Sequence, residues 1–431
     1  MSLPPDPLLD ALVTIIEAVE QKHGHAEALL IAASISHPQL MFNALRELQE
    51  LANPLMPLLT AHPDFPGTTQ LMITTDTASF GFYPYMATHA MVQRVLRTRD
   101  PEGTIEWLKN ILKTREAVSY AISILWNTPV ESVIRLTDTV SVVPIEQLPE
   151  SGHKRWLRDL PVNAMFSPFA PTLFTQATAA LITRIPPQPF LTPASTGGNL
   201  DPVAERRFAE SSLRNALFDD ITLGLTLVGP RPAFRLTGWT TFDDPDLEEV
   251  SRGGGRNILT EEVLPTTHAV YPALDEQLAP RIVQGFLALS GRTKDKIRIG
   301  LSRLNQALRR QQFGDRAVDL VTALEAVTSD GETNELAHKV TVRTVRLVGG
   351  SEDERRRNST ILKRTYDIRS KLLHTGTFPS KSIRVGSKTL MPADIVNEAT
   401  KLCAVTVIKL IERGSIPDWH HFDIAADTQV D

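Results

Sequence analysis

Hydrophobic and polar positions follow two different periods along this chain. Residues 7–23, PLLDALVTIIEAVEQKH, and 37–52, HPQLMFNALRELQELA, place apolar side chains three and four apart, the spacing of one helical face. Pro54 and Pro57 interrupt that pattern. TTQLMITTD, 68–76, predicts a strand, and two helices are expected near 86–98 and 103–114. From residue 116 the chain turns β-branched. AVSYAISILW, ESVIRLTDTVSVVPI, ATAALITRI, DITLGLTLVG and AFRLTGWTTF all predict strands, with IPPQPFLTPASTGGN as a proline-rich loop between them. From about 280 the helical period returns, and stop signals such as Gly331, the Gly349–Gly350 pair, Gly376 and Gly414 divide it into successive helices. The expected fold is therefore α+β and multidomain. It comprises a mainly helical region over 1–115, a β-rich domain over 116–279, an all-α bundle of four or five helices over 280–414, and a weakly ordered tail over 415–431.

Composition changes this picture little. Apolar residues make up 42% and charged residues 22% of the 431, ordinary for a globular protein with room for several domains. The single cysteine, Cys403, excludes an intrachain disulfide framework and reads as a buried thiol. No uninterrupted apolar run reaches membrane-span length, and the N-terminus lacks the basic flank of a secretory signal, so a cytoplasmic protein with no membrane association is expected.

Charge changes it more. Residues 291–413 hold 24 Lys and Arg against 14 Asp and Glu, a surplus of ten positive charges inside a chain whose net charge is −5. The remainder therefore carries −15. Two accounts fit: a module for phosphate-bearing partners, or helices with ordinary solvated basic faces.

The chemistry-bearing stretch is KRTYDIRSKLLHTGTF, 363–378, a helix end containing Arg369 and His374. The pair suits RNA cleavage without a metal. A histidine can move the 2′-OH proton or protonate the leaving 5′-oxygen, and an arginine can clamp the phosphate and stabilise its developing charge. Alternatively, both residues only complement the negative end of the helix dipole. Five positions along a continuous helix turn the chain by roughly 500°, leaving the two side chains about 140° apart. They share a site only if the helix ends near His374, which Gly376 permits, or if the pair meets its copy across a two-fold axis.

Three blocks in order, FGDRAVDLVTALEAV, ELAHKVTVRTVRLVG and YDIRSKLLHTG, resemble the HEPN superfamily, specifically its Apea-like group. Asp315, Arg316, Asp319, Leu320, Leu324 and Glu325 fit the first motif, Arg343 the second, and Arg369, Ser370 and His374 the third. Thr375 stands where the family usually has glycine. The resemblance covers less than a third of the chain. It implies a helical bundle that homodimerises and acts as a metal-independent endoribonuclease, with Arg369 and His374 as the catalytic pair. Many such proteins are toxins or anti-phage defence effectors, so an antitoxin or defence-system partner is a further expectation. Ser370 is a candidate phosphate contact and Glu325 a candidate orienting partner for Arg369. Lys371, Lys363, Arg364 and Arg343 are candidates for tracking RNA phosphates, although Asp319 and Arg343 could equally pair within the bundle. The competing function is a non-catalytic HEPN module binding RNA, nucleotide or protein.

Elsewhere the chemistry is thin. Gly253–Gly255 read as a surface loop, since no GK[ST] follows. His23, His25, His420 and His421 lack the carboxylate or cysteine partners of a metal site. Trp126, Trp156 and Trp239 read as core rather than base-stacking residues. No metal or cofactor is expected.

Overall fold

Asp6 opens the first helix. Its carboxylate accepts the Leu8 N–H at 3.0 Å, Pro7 takes the first helical position, and Gly24 closes the last turn at φ 87°. The chain is seen in a computed structural model that describes residues 6–34, 38–65, 67, 71–75, 79–163, 178–193, 202–251, 257–258, 271–331 and 334–424. The fold is mixed α/β.

The N-terminal part contains α1 (Pro7–His23), α2 (Ala28–Ser34), α3 (Pro38–Ala52) and α4 (Leu55–Ala61), then β1 (Leu71–Thr74), β2 (Ser79–Phe82), α5 (Pro84–Thr98) and α6 (Pro101–Lys113). Pro57 interrupts nothing. It sits in the first turn of α4, where its missing N–H would have had no intrahelical partner.

Next come β3 (Glu116–Trp126), β4 (Ile134–Arg135), β5 (Val140–Pro144), α7 (Gly152–Asn163), β6 (Ala179–Pro189), β7 (Leu191–Pro193), α8 (Pro202–Leu225), β8 (Phe234–Phe242), α9 (Pro245–Ser251) and β9 (Asn257–Ile258). An antiparallel sheet runs in the order β4-β5-β6-β3-β8-β9. Alternation along β3 divides its residues between two cores. Ala121 and Leu125 face one, and Ile122, Ile124 and Trp126 face the other. Trp126 and Trp239 are both buried in that second layer, as core residues. The short β7 pairs antiparallel with β1, tying the N-terminal helices to the sheet.

Two expectations here are corrected. IPPQP is not loop but the end of β6. It pairs with β3 through an irregularity between Ala117 and Ser119, and there β6 is paired on one side only among the described residues, so prolines without N–H groups cost little ladder. DITLGLTLVG is not a strand but the end of α8 and the turn after it. Phe218, Ile221 and Leu225 reach the core at helical spacing, and that burial outweighs the strand preference of Ile and Thr.

The remaining helices are α10 (Leu278–Ala288), α11 (Gly291–Arg309), α12 (Phe313–Thr328), α13 (Leu336–Val348), α14 (Glu352–Thr375), α15 (Pro392–Arg413) and α16 (Trp419–Ile424), with a hairpin, β10 (Ile383–Val385) and β11 (Lys388–Leu390), between α14 and α15. Helices α11 to α15 pack on one another, closely enough at Gly300 of α11 that a Cβ there would lie 2.4 Å from Val327 of α12. Their apolar faces join α8, α10 and one face of the sheet in a continuous core. Polar contacts cross the same junction. Asp220 accepts from Arg298 at 2.9 and 2.8 Å, and the Asn305 amide donates to Thr226 and to the Ala233 carbonyl.

The tail is also corrected. Within it Trp419–Ile424 form α16, whose Trp419 and Phe422 are buried against α13, and residues 425–431 lie outside the described residues. Gly253–Gly255 and the side chain of Trp156 lie outside the described residues.

Candidate active site

Helix α14 starts on a capping box. Ser351 Oγ accepts the Glu354 N–H, and Glu354 returns a carboxylate oxygen to the Ser351 N–H at 2.8 Å. Three acidic residues in the first turn favour its positive end. The helix runs unbroken for 24 residues to Thr375, and Gly376, at φ 66°, donates its N–H to the Leu372 carbonyl at 2.8 Å. Both Arg369 and His374 therefore lie within regular helix. The termination that could have freed His374 comes after it, so the angular divergence between the two side chains stands within one chain.

Ile368 anchors this end of α14 in the core, and Leu372 lies over Gly314 at the start of α12. A Cβ at Gly314 would come within 2.9 Å of the Leu372 side chain, so glycine sets how closely α12 and α14 approach. That approach brings Glu325, near the end of α12, opposite Arg369. The Arg369 Nη1 to Glu325 Oε1 distance is 3.9 Å, with side-chain exposures of 32% and 18%. Arg369 Nε is buried without a hydrogen-bond partner among the described residues, which leaves the guanidinium with unused donor capacity.

Sequence reasoning missed Tyr366. One helical turn before Arg369, its hydroxyl donates to Glu325 Oε1 at 3.3 Å. Burial pushes the phenol well above its ordinary pKa, and the Glu325 carboxylate adds to the effect, while Arg369 opposes it. Tyr366 therefore holds its proton and remains a donor to Glu325. The available signal was the i, i+3 spacing to Arg369, which puts the two residues on one helix face.

His374 is exposed, as are Ser370 and Lys371. Leu373, 59% exposed, falls in angle between Arg369 and His374, an apolar residue in the middle of a polar cluster. Lys363 and Arg364 are exposed further back on α14, and Arg364 is paired to Asp367 at 2.9 Å.

Arg343 is placed differently from its role as a candidate phosphate contact. It is 2% exposed, and its guanidinium is engaged inside the fold. Nε and Nη2 bind the Asp423 carboxylate of α16 at 2.7–3.1 Å, Nη1 donates to the Thr328 carbonyl at 2.8 Å, and Trp419 lies against it at 5.3 Å. Its partner is not Asp319, which is buried and accepts from Arg310 Nε at 2.8 Å. Arg316 of the first motif is half-buried and engaged within the chain, donating to the Ala307 and Arg310 carbonyls and to Asn397.

Among the described residues, no group of three His, Cys, Asp or Glu could hold a metal ion, and no helix is long and apolar enough to cross a membrane. His23 pairs with Glu47 at 2.9 Å. No protein-family model, no curated protein and no solved structure matches the chain, so the arrangement around Arg369 is what a functional reading has to build on.

Proposed function

We propose that this chain is a metal-independent endoribonuclease of the HEPN type, with α11 to α15 as its catalytic bundle. One observation carries the reading. Arg369, held opposite Glu325 and Tyr366, and an exposed His374 occupy the end of one helix, in the order the HEPN motif requires. Since the two side chains diverge within one chain, the working site is composite. Two copies apply their α14 ends to each other around Leu373, and each supplies an arginine and a histidine to one cleft. A histidine takes the proton of the RNA 2′-OH as its oxygen bonds to phosphorus. The bond from phosphorus to the 5′-oxygen breaks, and a protonated histidine supplies the proton for that leaving oxygen. Arg369 stabilises the charge on the non-bridging oxygens, and Ser370 is placed beside it for a phosphate contact. The products are a 2′,3′-cyclic phosphate and a 5′-hydroxyl. The residues before 280 would then sense a trigger or bind a protein partner, and the whole would serve as a cytoplasmic toxin or defence effector.

The test is RNA cleavage by purified protein in EDTA, with analysis of the product ends. His374→Ala should abolish cleavage and leave the thermal melt unchanged. Wild-type protein inert on diverse RNAs, tRNA included, would sink the nuclease reading. The alternative, a HEPN module that binds RNA, nucleotide or protein without cutting, takes its support from the divergence of Arg369 and His374 along one regular helix. Full biological activity in an Arg369→Ala/His374→Ala variant would select it.

A further inference from the structure

We infer that the β10–β11 hairpin and the loop leading into it form a docking surface for single-stranded RNA beside the end of α14. The inference deepens the ribonuclease reading and rests on it for the location of the reacting phosphate. Between Asp367 and Asp394 the chain contains no acidic residue, while Arg369, Lys371, His374, Lys381, Arg384 and Lys388 fall within those bounds. Lys371, Lys381, Arg384 and Lys388 are all exposed. This contrasts with the start of α14, where Arg356 is paired to Glu352, and with its middle, where Arg364 is paired to Asp367. The positive charge is thus less compensated by nearby acids at the end carrying the catalytic candidates than at the start or middle of α14.

The hairpin is a rigid mount for those charges. Val385 is buried in the core, and Ile383 and Leu390 pack against it. Residues Val385 and Lys388 flank a two-residue turn in which Gly386 has φ 61°, a conformation that favours glycine. A small hairpin with an apolar underside, a glycine turn and cations on its solvent side is more ordered than a basic loop of the same length. It fixes the charges at low cost in side-chain and backbone entropy.

An aromatic ring lies on the way. Phe378, in the loop between His374 and the hairpin, is 38% exposed. Its ring centroid is 6.3 Å from that of Phe313, which in turn lies under the Arg316 guanidinium at 5.0 Å. Phe378 is therefore supported from behind and open in front. An aromatic face among exposed cations is what unstacked bases and their phosphates require. The seven residues from His374 to Lys381 span at most about 25 Å even when extended, so one short strand can touch both. Phosphates would lie on Lys381, Arg384 and Lys388, a base on Phe378, and the scissile linkage at the end of α14.

The test uses full-length protein carrying His374→Ala, so that no cutting occurs during titration, and a fluorescein-labelled mixed-sequence RNA 20-mer read by anisotropy. Lys381→Gln/Arg384→Gln/Lys388→Gln should weaken binding roughly tenfold or more and reduce the slope of log K against log salt by about 2, given about 0.7 per phosphate contact on single strands. Phe378→Ala should weaken it about fivefold or more with the salt slope unchanged. A charge-matched control, Arg46→Gln/Lys113→Gln/Arg206→Gln, removes three exposed cations elsewhere and should bind as the parent does. The inference is overturned by hairpin variants binding within twofold of the parent, by a control that weakens equally, or by equal affinity for DNA of the same sequence. Cleavage by the same substitutions without His374→Ala is scored separately. Hairpin-dependent binding in a protein that cuts nothing would uphold the docking surface and sink the nuclease reading. Cleavage with hairpin-independent binding would do the reverse.

Discussion

Substituting Asp423→Asn should destabilise this protein through a residue eighty positions away. Arg343 is 2% exposed, and Asp423 is the carboxylate that faces its guanidinium, through three contacts of 2.7–3.1 Å. Removing one member of a buried ion pair costs about 3–5 kcal/mol, because the surviving charge stays desolvated. The Asp423 side chain keeps 30% of its exposure, so water can partly replace it, and about 2–3 kcal/mol is the better expectation. For a chain of 431 residues, with an unfolding entropy of about 0.9 kcal/mol/K, that is a fall of about 2–3 °C in the thermal midpoint, readable by scanning fluorimetry. Hydrogen exchange should rise first in α13 and α16, the helices the pair joins. Arg343→Met combined with Asp423→Leu, which removes both charges, should recover most of the loss. RNA affinity per folded molecule should be the same in Arg343→Met as in the parent, since the guanidinium faces Trp419 and not solvent. An Asp423→Asn protein that melts within about 1 °C of wild type would refute the account of Arg343 as an internal strut. So would an Arg343→Met protein that stays fully folded but loses RNA.

Other outcomes follow from the same geometry. Gly314→Val should cost about 1–3 kcal/mol in a chemical melt and lower cleavage by displacing Leu372, whereas Gly314→Ala, meeting only the far end of that side chain, should be milder. Glu325→Gln should reduce cleavage roughly tenfold without abolishing it, because Arg369 loses the charge opposite it but keeps its helix position. Tyr366 has a folded pKa raised above the unfolded value of about 10. Its contribution is fully present below pH 10 and is lost as pH rises beyond it, so Tyr366→Phe should flatten the alkaline fall in stability. Burial pushes the Asp220 carboxyl up, but the Arg298 hydrogen bond and charge, with Lys294, outweigh it and hold the group below its ordinary value. Stability from this cluster should be present above about pH 4 and lost as pH falls further, a loss that Asp220→Asn should remove from an acid titration. The Cys403 thiol, pushed up to about 12 by complete burial, should resist thiol reagents until the protein unfolds.

How much was legible depended on how local the deciding interaction is. Helices such as α1, α14 and α15 carry their own end signals and their own stripes, so their bounds could be read closely. The end of α8 could not. Ile221, Thr222 and Thr226 favour a strand locally, and what makes residues 202–225 helical is the pairing of Phe218, Ile221 and Leu225 with α10 and the sheet. In the same way, the prolines of β6 are permitted by a ladder made on one side only, and single-chain periodicity carries no trace of that. Arg343 shows the limit most clearly. A basic residue on a basic helix reads as solvent-facing, and only the arrival of Trp419 and Asp423 from a tail with little pattern of its own turns it inward.

The site divides along the same line. The divergence of Arg369 from His374 needed nothing but helical arithmetic, and it holds because Gly376 ends α14 after His374 rather than before it. Glu325 was legible beside Arg369 from the motif, while Tyr366 needed the crossing of α12 over α14, which Gly314 sets by meeting Leu372. That crossing orients the arginine and leaves the histidine where it was. Arg369 faces Glu325 of its own chain, and of the two exposed side chains that fall in angle between Arg369 and His374, Ser370 and Leu373, the leucine is the apolar one. If the pair works together, the closing contact has to come from a surface that covers Leu373. A charged substitution there, Leu373→Glu, should then abolish cleavage and any two-fold assembly together while leaving the monomer's melt within about 1 °C of wild type, since the side chain packs on little within the chain. Loss of cleavage with a dimer of undiminished affinity would show that Leu373 serves the site in some way other than as its seam.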